Sequence, residues 1–293
     1  MLTHLGKTVE YSNKYDPTLL EAHPRAINRE AYSIVGTVFA GRDVWHIYEV
    51  SFLTNKGLPI IGVGKLIYSS SSECIVESKS LKLYFFSHNM MRYGDTVEEA
   101  IKTFEGVVKK DLEKLLRTEI EFKLHTVHSI LAWPFKGEFR ALHKVVELED
   151  IEFTSYKEAP QLLQVDVIDE HINSVEWITT NLLRSNCKIT NQPDWGDLFL
   201  YYSARGIKLD LISLARYIIS FRHENHFHEE VVEMIYKRIF DLIKPFNAEL
   251  VVGAIYTRRG GIDICPIRTN DSFLLSEQPI VNPFTLTEKT MRQ

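Results

Sequence analysis

A strand-like alternation closed by a hairpin-length turn occurs twice in this chain, each time with amphipathic helical periodicity nearby. In the first half Trp45, Ile47, Glu49 and Ser51 alternate with His46, Tyr48, Val50 and Phe52. Gly57 and Pro59 punctuate that run, and residues 60–68 read as the returning strand. Val97, Ile101, Phe104, Val108, Leu112 and Leu115 then recur at steps of three and four, which places them on one face of a helix over residues 95–117. Thr96 with Glu99 forms a capping box at its start. Ile120, Phe122 and Leu124 alternate with charged residues as in a half-buried strand. In the second half, residues 198–202 read as a strand. Leu211, Ile212, Ala215 and Ile219 suit one amphipathic helix, and Val232, Ile235, Ile239 and Leu242 suit another, ended by Pro245. Residues 250–256 and 262–267 form a hairpin about Arg258-Arg259-Gly260-Gly261. Strand pairs with hairpin-length turns, separated by helices, predict an antiparallel α+β architecture rather than a βαβ sheet. The halves read as diverged copies of one module. The polar, Pro-containing stretch at 157–160 divides them into residues 1–160 and 161–293; residues 129–165 yield no placed elements.

The chain has 293 residues, room for two domains, and its 45% hydrophobic and 25% charged residues fit a globular protein. A formal charge of −5 offers no global attraction for nucleic acid or an anionic membrane, so an anionic ligand must be met by local Arg and Lys clusters. Cys74, Cys187 and Cys265 are odd in number and far apart, which argues against a disulfide framework and for a reducing compartment. The first residues carry no apolar signal-peptide core, and no run approaches the ~20 apolar residues that span a bilayer. Cytoplasmic residence without membrane contact is the expectation.

Four segments could carry chemistry. Ser185-Asn186-Cys187-Lys188 places a cysteine among polar neighbours, with Asn191-Gln192 and a Pro193-Asp194-Trp195-Gly196 turn following. A lone cysteine is ordinarily a small buried hydrophobe, but thiolate formation favours such a polar, cationic setting. Asp194 by itself reads as a turn residue. Phe221–Glu230 holds His223, His226 and His228 among acids, which suits a metal site, a ligand site or a solvated helix junction. His223 and His226 have helical spacing, yet no CxxC or HExxH pattern supports zinc. Lys79 and Lys82 share a helical face and could meet a phosphate, or simply be solvated. Arg258-Arg259-Gly260-Gly261 is first a turn, with arginines able to grip a phosphate. Gly62-Val63-Gly64 lacks the third glycine and following helix of a dinucleotide fingerprint.

Together these segments resemble the long, two-module form of the NADPH-dependent 7-cyano-7-deazaguanine reductases, the queuosine-pathway nitrile reductases. The carriers are Glu77–Tyr84 (ESKSLKLY), Ser185–Gly196 (SNCKITNQPDWG), residues 220–229 (SFRHENHFHE) and residues 256–263 (YTRRGGID). Leu5-Gly6-Lys7, Tyr15-Asp16, Pro24-Arg25 and Gly57-Leu58-Pro59 add to them. The resemblance spans roughly residues 5–125 and 180–270 and implies two tandem tunnelling-fold modules, related to GTP cyclohydrolase I, each an antiparallel sheet with helices on one face. It implies reduction of a nitrile to a primary amine with two NADPH, for tRNA modification. By motif position Cys187 is the nucleophile, Asp194 the proton donor and His228 a proton relay. Val76, Glu77, Ser78, His228 and Glu229 hold the deazapurine; Ser78, Lys79, Arg259 and Gly260 contact NADPH. No metal, direct nucleic-acid contact or membrane is implied, and a homodimer is expected.

The residue types suit this chemistry. Thiolate addition turns a poorly electrophilic nitrile into a thioimide that accepts hydride, and nitrogen then needs a proton donor. Moving a proton from an ordinary thiol, pKa about 8.5, to an ordinary Asp, about 3.9, costs ~6 kcal/mol. Either burial raises Asp194, or the proton transfer is concerted or assisted by His228. Two other readings stay open at this level: a zinc cyclohydrolase of the same fold using Cys187 with His223, His226 or His228, and a non-catalytic purine- or pterin-binding module.

Overall fold

The computed structural model describes residues 14–36, 38–126 and 129–290; the Leu5-Gly6-Lys7 stretch lies outside them. Nine strands form the main sheet among these residues: β1 (Ala40–Leu53), β2 (Pro59–Ser69), β3 (Ile120–His125), β4 (Arg140–Ala141), β5 (Asn173–Cys187), β6 (Pro193–Arg205), β7 (Asn225–His226), β8 (Glu249–Tyr256) and β9 (Ile262–Thr269). They run in the order β7-β5-β6-β8-β9-β1-β2-β3, with β4 against β5. The short β4 and β7 pair with β5 in parallel, and the other pairs are antiparallel. The halves meet at β9–β1, where Ile262 lies opposite Ile47 and Thr269 opposite Ala40, so a single sheet runs through both.

Six α-helices accompany it among the described residues: α1 (Ala26–Ala31), α2 (Ser78–Ser87), α3 (Val97–Leu116), α4 (Leu211–Ile219), α5 (His228–Ile243) and the short α6 (Ser272–Ser276). The two-residue period of the strands sorts side chains to opposite faces. Trp45, Leu66 and Tyr68 pack with Leu81 of α2 and Phe104, Val108 and Leu112 of α3. Leu198, Leu200, Leu250 and Val252 pack with Leu214 of α4 and Ile235 and Ile239 of α5. Their alternates, Val44, Ile67, Phe199, Val251 and Ile267, build a third cluster with Phe135, Leu275 and Ile280. The long helices thus cover one face, and short helical turns and irregular segments cover the other. Lys65 Nζ donates to the carbonyls of Asn282 and Thr285, both at 2.8 Å, strapping the chain's last segment across the first half.

The periodic helix stands at Val97–Leu116, and the Thr96–Glu99 capping box is formed. The predicted strand pairs are present as β1–β2 and β8–β9. Two local expectations are corrected. Residues 193–196 are not a turn: Pro193 opens β6, and the chain reverses over 188–192, where Asn191 takes φ +54°. His223 and His226 share no helix, since His223 ends a 3-10 turn and His226 lies in β7.

Candidate active site

One pocket is lined by Val76, Glu77, Ser78 and Lys79 from the first half and by Cys187, Asp194, His228, Glu229, Arg259 and Gly260 from the second. Every residue that the family resemblance assigns to the site is therefore in one place, whereas His223 and Arg258 do not line the pocket. The β9–β1 junction is the cause, because it sets the helix faces of both halves side by side and brings Trp45, Ile262 and Ile264 to the same pocket.

Cys187 is the last residue of β5. Its N–H donates to the Gln192 carbonyl at 2.8 Å, and its carbonyl accepts from Asn191 N–H at 3.0 Å, which closes the five-residue reversal. Asp194 then returns on β6 opposite Ser185. Alongside, β7 sets His226 next to Cys187 and leads directly into α5, whose first two residues are His228 and Glu229. Lys188 Nζ bonds Glu230 Oε1 at 2.7 Å, tying the cysteine loop to that helix. Burial alone would raise the Glu230 carboxyl, but His226, Lys188 and the Phe227 N–H hold it below the usual carboxylate range.

His228 Nε2 lies 3.2 Å from Asp194 Oδ2, and Arg259 pairs with the other Asp194 oxygen. Burial pushes Asp194 upward, yet His228 and Arg259 outweigh it and hold its carboxyl below the ordinary value. Burial thus does not raise Asp194 on balance, and His228 stands within hydrogen-bond reach of it. The His228 ring lies 3.9 Å from Tyr256 with 5° between the planes, and its Nδ1 is buried without a hydrogen-bond partner. Arg259 is aimed by a tight turn, in which Arg259 and Ile262 exchange backbone hydrogen bonds while Gly260 and Gly261 take φ +57° and +78°. Two successive positive φ values are what a two-residue hairpin turn requires.

The two glutamates differ. Glu77 caps α2, its Oε2 accepting from Ser80 N–H at 2.6 Å. Glu229 is 1% exposed, and its Oε1 has no hydrogen-bond partner. Burial, and then the neighbouring Asp43, push its carboxyl well above the usual range, against the pull of Arg25. Lys79 and Lys82 sit on α2 at the pocket, and a Cβ added at Gly260 would lie 3.5 Å from Lys82 Nζ. Helix start, lysines and hairpin tip thus form a cationic wall that fits the phosphates of a dinucleotide.

Sequence reasoning passed over Tyr256 as a site residue; its only signal was a place at the start of the YTRRGGID stretch. Among the described residues the three metal-capable ligand atoms that converge within 4.8 Å are those of His46, Asp263 and Cys265, not a set built from Cys187 and the 223–228 histidines. That removes the geometric basis for the zinc cyclohydrolase reading.

Comparison with known proteins gives the family. Residues 11–124 match the family model described as nitrile reductase, 7-cyano-7-deazaguanine-reductase N-term, and residues 193–273 match the one described as QueF-like protein. The solved apo form of the archaeosine synthase QueF-Like is 15% identical, covering 37% of this chain and 94% of its own, with a TM-score of 0.28 that is too low to bear on the fold. The NADPH-dependent 7-cyano-7-deazaguanine reductase of Colwellia psychrerythraea strain 34H is 40% identical over 271 residues, 91% of each chain. On that identity and coverage, this chain belongs to the NADPH-dependent 7-cyano-7-deazaguanine reductase family.

Proposed function

We propose that this chain reduces the nitrile of 7-cyano-7-deazaguanine to the primary amine of 7-aminomethyl-7-deazaguanine with NADPH, in queuosine biosynthesis. The observation that carries the reading is one pocket joining Cys187, the Asp194–His228 pair and two carboxyl groups, Glu77 and Glu229. Cys187 adds through sulfur to the nitrile carbon, forming a thioimide, while the thiol proton passes by way of His228 and Asp194 to nitrogen. When bound, NADPH would supply the two hydrides the reduction needs. Lys79, with Ser78 at the α2 start, and Arg259-Gly260 would hold its phosphates. After the first reduction the C–S bond breaks, leaving an imine and returning the thiol to Cys187. The His228–Asp194 pair delivers protons to nitrogen at each stage, and Arg259 keeps Asp194 in place. Glu77 and Glu229, with Val76, accept the N–H groups of the deazapurine, which rejects analogues lacking them.

The division into modules 1–160 and 161–293 is part of this proposal, supported by two cores on a shared sheet. So is a homodimer: the sheet order ends at β3, and an open strand edge favours pairing with a second copy. Cytoplasmic residence is supported by three free cysteines. Among the described residues no helix is long and apolar enough to cross a membrane. The test is incubation with the nitrile and NADPH, following nicotinamide absorbance and product mass. Two NADPH consumed per amine formed is expected; absence of amine overturns the reading.

A further inference from the structure

Behind Glu229 lies a cluster of buried charges drawn from both halves of the chain. Glu233, one turn further along the same face of α5, accepts from Arg29 Nε at 2.9 Å and Nη2 at 2.6 Å, and from Arg268 Nη2 at 2.9 Å. Asp43 of β1 pairs with Arg25 and, at 2.8 Å, with Arg268. Arg25 Nη1 stands 3.6 Å from Glu233 Oε1 and makes no hydrogen bond. Arg25, Asp43, Arg268 and Glu233 are each at most 2% exposed. The guanidiniums of Arg25, Arg29 and Arg268 thus face the carboxylates of Asp43 and Glu233, leaving a surplus of one positive charge. The four buried groups balance two against two, and the surplus comes from Arg29, which is 20% exposed and so partly screened by solvent. One turn back on the same face of the helix is Glu229, buried, with an oxygen to spare.

We propose that Arg25, with Arg268 and Asp43 beside it, is a positioning residue that acts through Glu229: the surplus positive charge allows Glu229 to ionise when the N–H groups of a purine-like ligand reach it, so that ligand capture and loss of the Glu229 proton are one event. This rests on the reading of Glu229 as a ligand acceptor. In the free protein burial and Asp43 keep the Glu229 carboxyl protonated well above the usual range, with Arg25 and Arg268 pulling the other way. Tyr68 of β2 and Tyr256 of β8 also face it, and Cys187, Asp194, His226 and His228 share its pocket. A ligand offering paired N–H donors stabilises the anion, so the bound state holds one proton fewer. Affinity then falls about tenfold per pH unit below the Glu229 midpoint and levels off above it.

The test is calorimetry of nitrile binding in buffers of different ionisation heat, with KM and kcat against pH, for wild type, Arg25→Gln, Arg25→Lys and Asp43→Asn. Wild type should release about one proton on binding below the midpoint. Arg25→Gln removes a positive charge and should move the midpoint up, raising KM about tenfold for a one-unit shift, with kcat at saturation nearly unchanged. Arg25→Lys should restore the wild-type midpoint, and Asp43→Asn should move it down. A purely structural role would instead push Arg25→Gln and Asp43→Asn the same way, and that result overturns the proposal. Wild-type proton release decides it even where a variant fails to fold. A wild type that binds and reduces the nitrile without releasing a proton overturns this inference alone; one that neither binds nor reduces it overturns the proposed function as well.

Discussion

His228 lies flat against Tyr256, ring centroids 3.9 Å apart, and in that orientation its Nε2 meets Asp194 at 3.2 Å. The stack fixes the plane in which the imidazole can exchange a proton. Tyr256→Ala frees the ring and should lower reduction on the order of 10²-fold, the scale on which misplacement by about 1 Å acts. Loss of a fully buried ring also costs about 3–5 kcal/mol of stability, by analogy with Phe→Ala. Tyr256→Phe keeps the stack and should retain most of the rate. Steady-state rates beside thermal unfolding separate the two effects; equal rates in both variants would show that the stack does not orient His228.

Asp194→Asn keeps the shape but loses the charge shared by His228 and Arg259. Reduction should fall by about 10²–10⁴-fold if the pair moves protons. Stability supplies an independent check. The folded Asp194 carboxyl lies below its ordinary value, so its contribution is full above about pH 4 and is lost as pH falls through the lower folded value. The stability gap between wild type and Asp194→Asn should therefore close on acidification, as read by denaturant titration over a pH series. A gap that widens toward acid contradicts the sign.

Mixing the protein with the nitrile alone should raise its mass by the full mass of the nitrile, because thiol addition expels nothing. Cys187→Ala should lose both adduct and turnover. Cys74→Ala and Cys265→Ala should keep both: Cys265 is fully buried in the cluster on the face away from the long helices. Intact-protein mass spectrometry reads the result, and a Cys187→Ala protein that reduces the nitrile at a comparable rate rules out the thioimide.

Gly260→Ala places a side chain at φ +57°, while its Cβ meets only ordinary contact with Lys82 at 3.5 Å. The cost is thus mainly backbone strain, about 1–2 kcal/mol, relieved by distorting the hairpin tip that aims Arg259. KM for NADPH should rise several-fold, while formation of the nitrile adduct without NADPH stays intact. Loss of the adduct instead would place the hairpin on the nitrile side of the site.

The long helix of the first half is legible because Val97 to Leu115 repeats at helical spacing and its capping box is local in sequence. The β8–β9 hairpin is legible because two glycines supply the positive φ values its turn needs. The motif residues also announce their types: a cysteine in a polar loop, glutamates, lysines at helix start, arginine beside glycine. Strand β5 is not legible, since its buried face carries Glu176 and Thr180 while half-buried Trp177 points the other way, so polarity does not follow burial. Nor could the sequence say that Glu77 and Glu229 share a pocket, that Arg259 neutralises Asp194 across 65 positions, or that Arg25 and Arg268 clasp Asp43. Local periodicity and turn chemistry depend on residues a few positions apart. Electrostatic environment depends on which distant segments the β9–β1 register brings within a few ångströms, and that is settled only when the sheet closes.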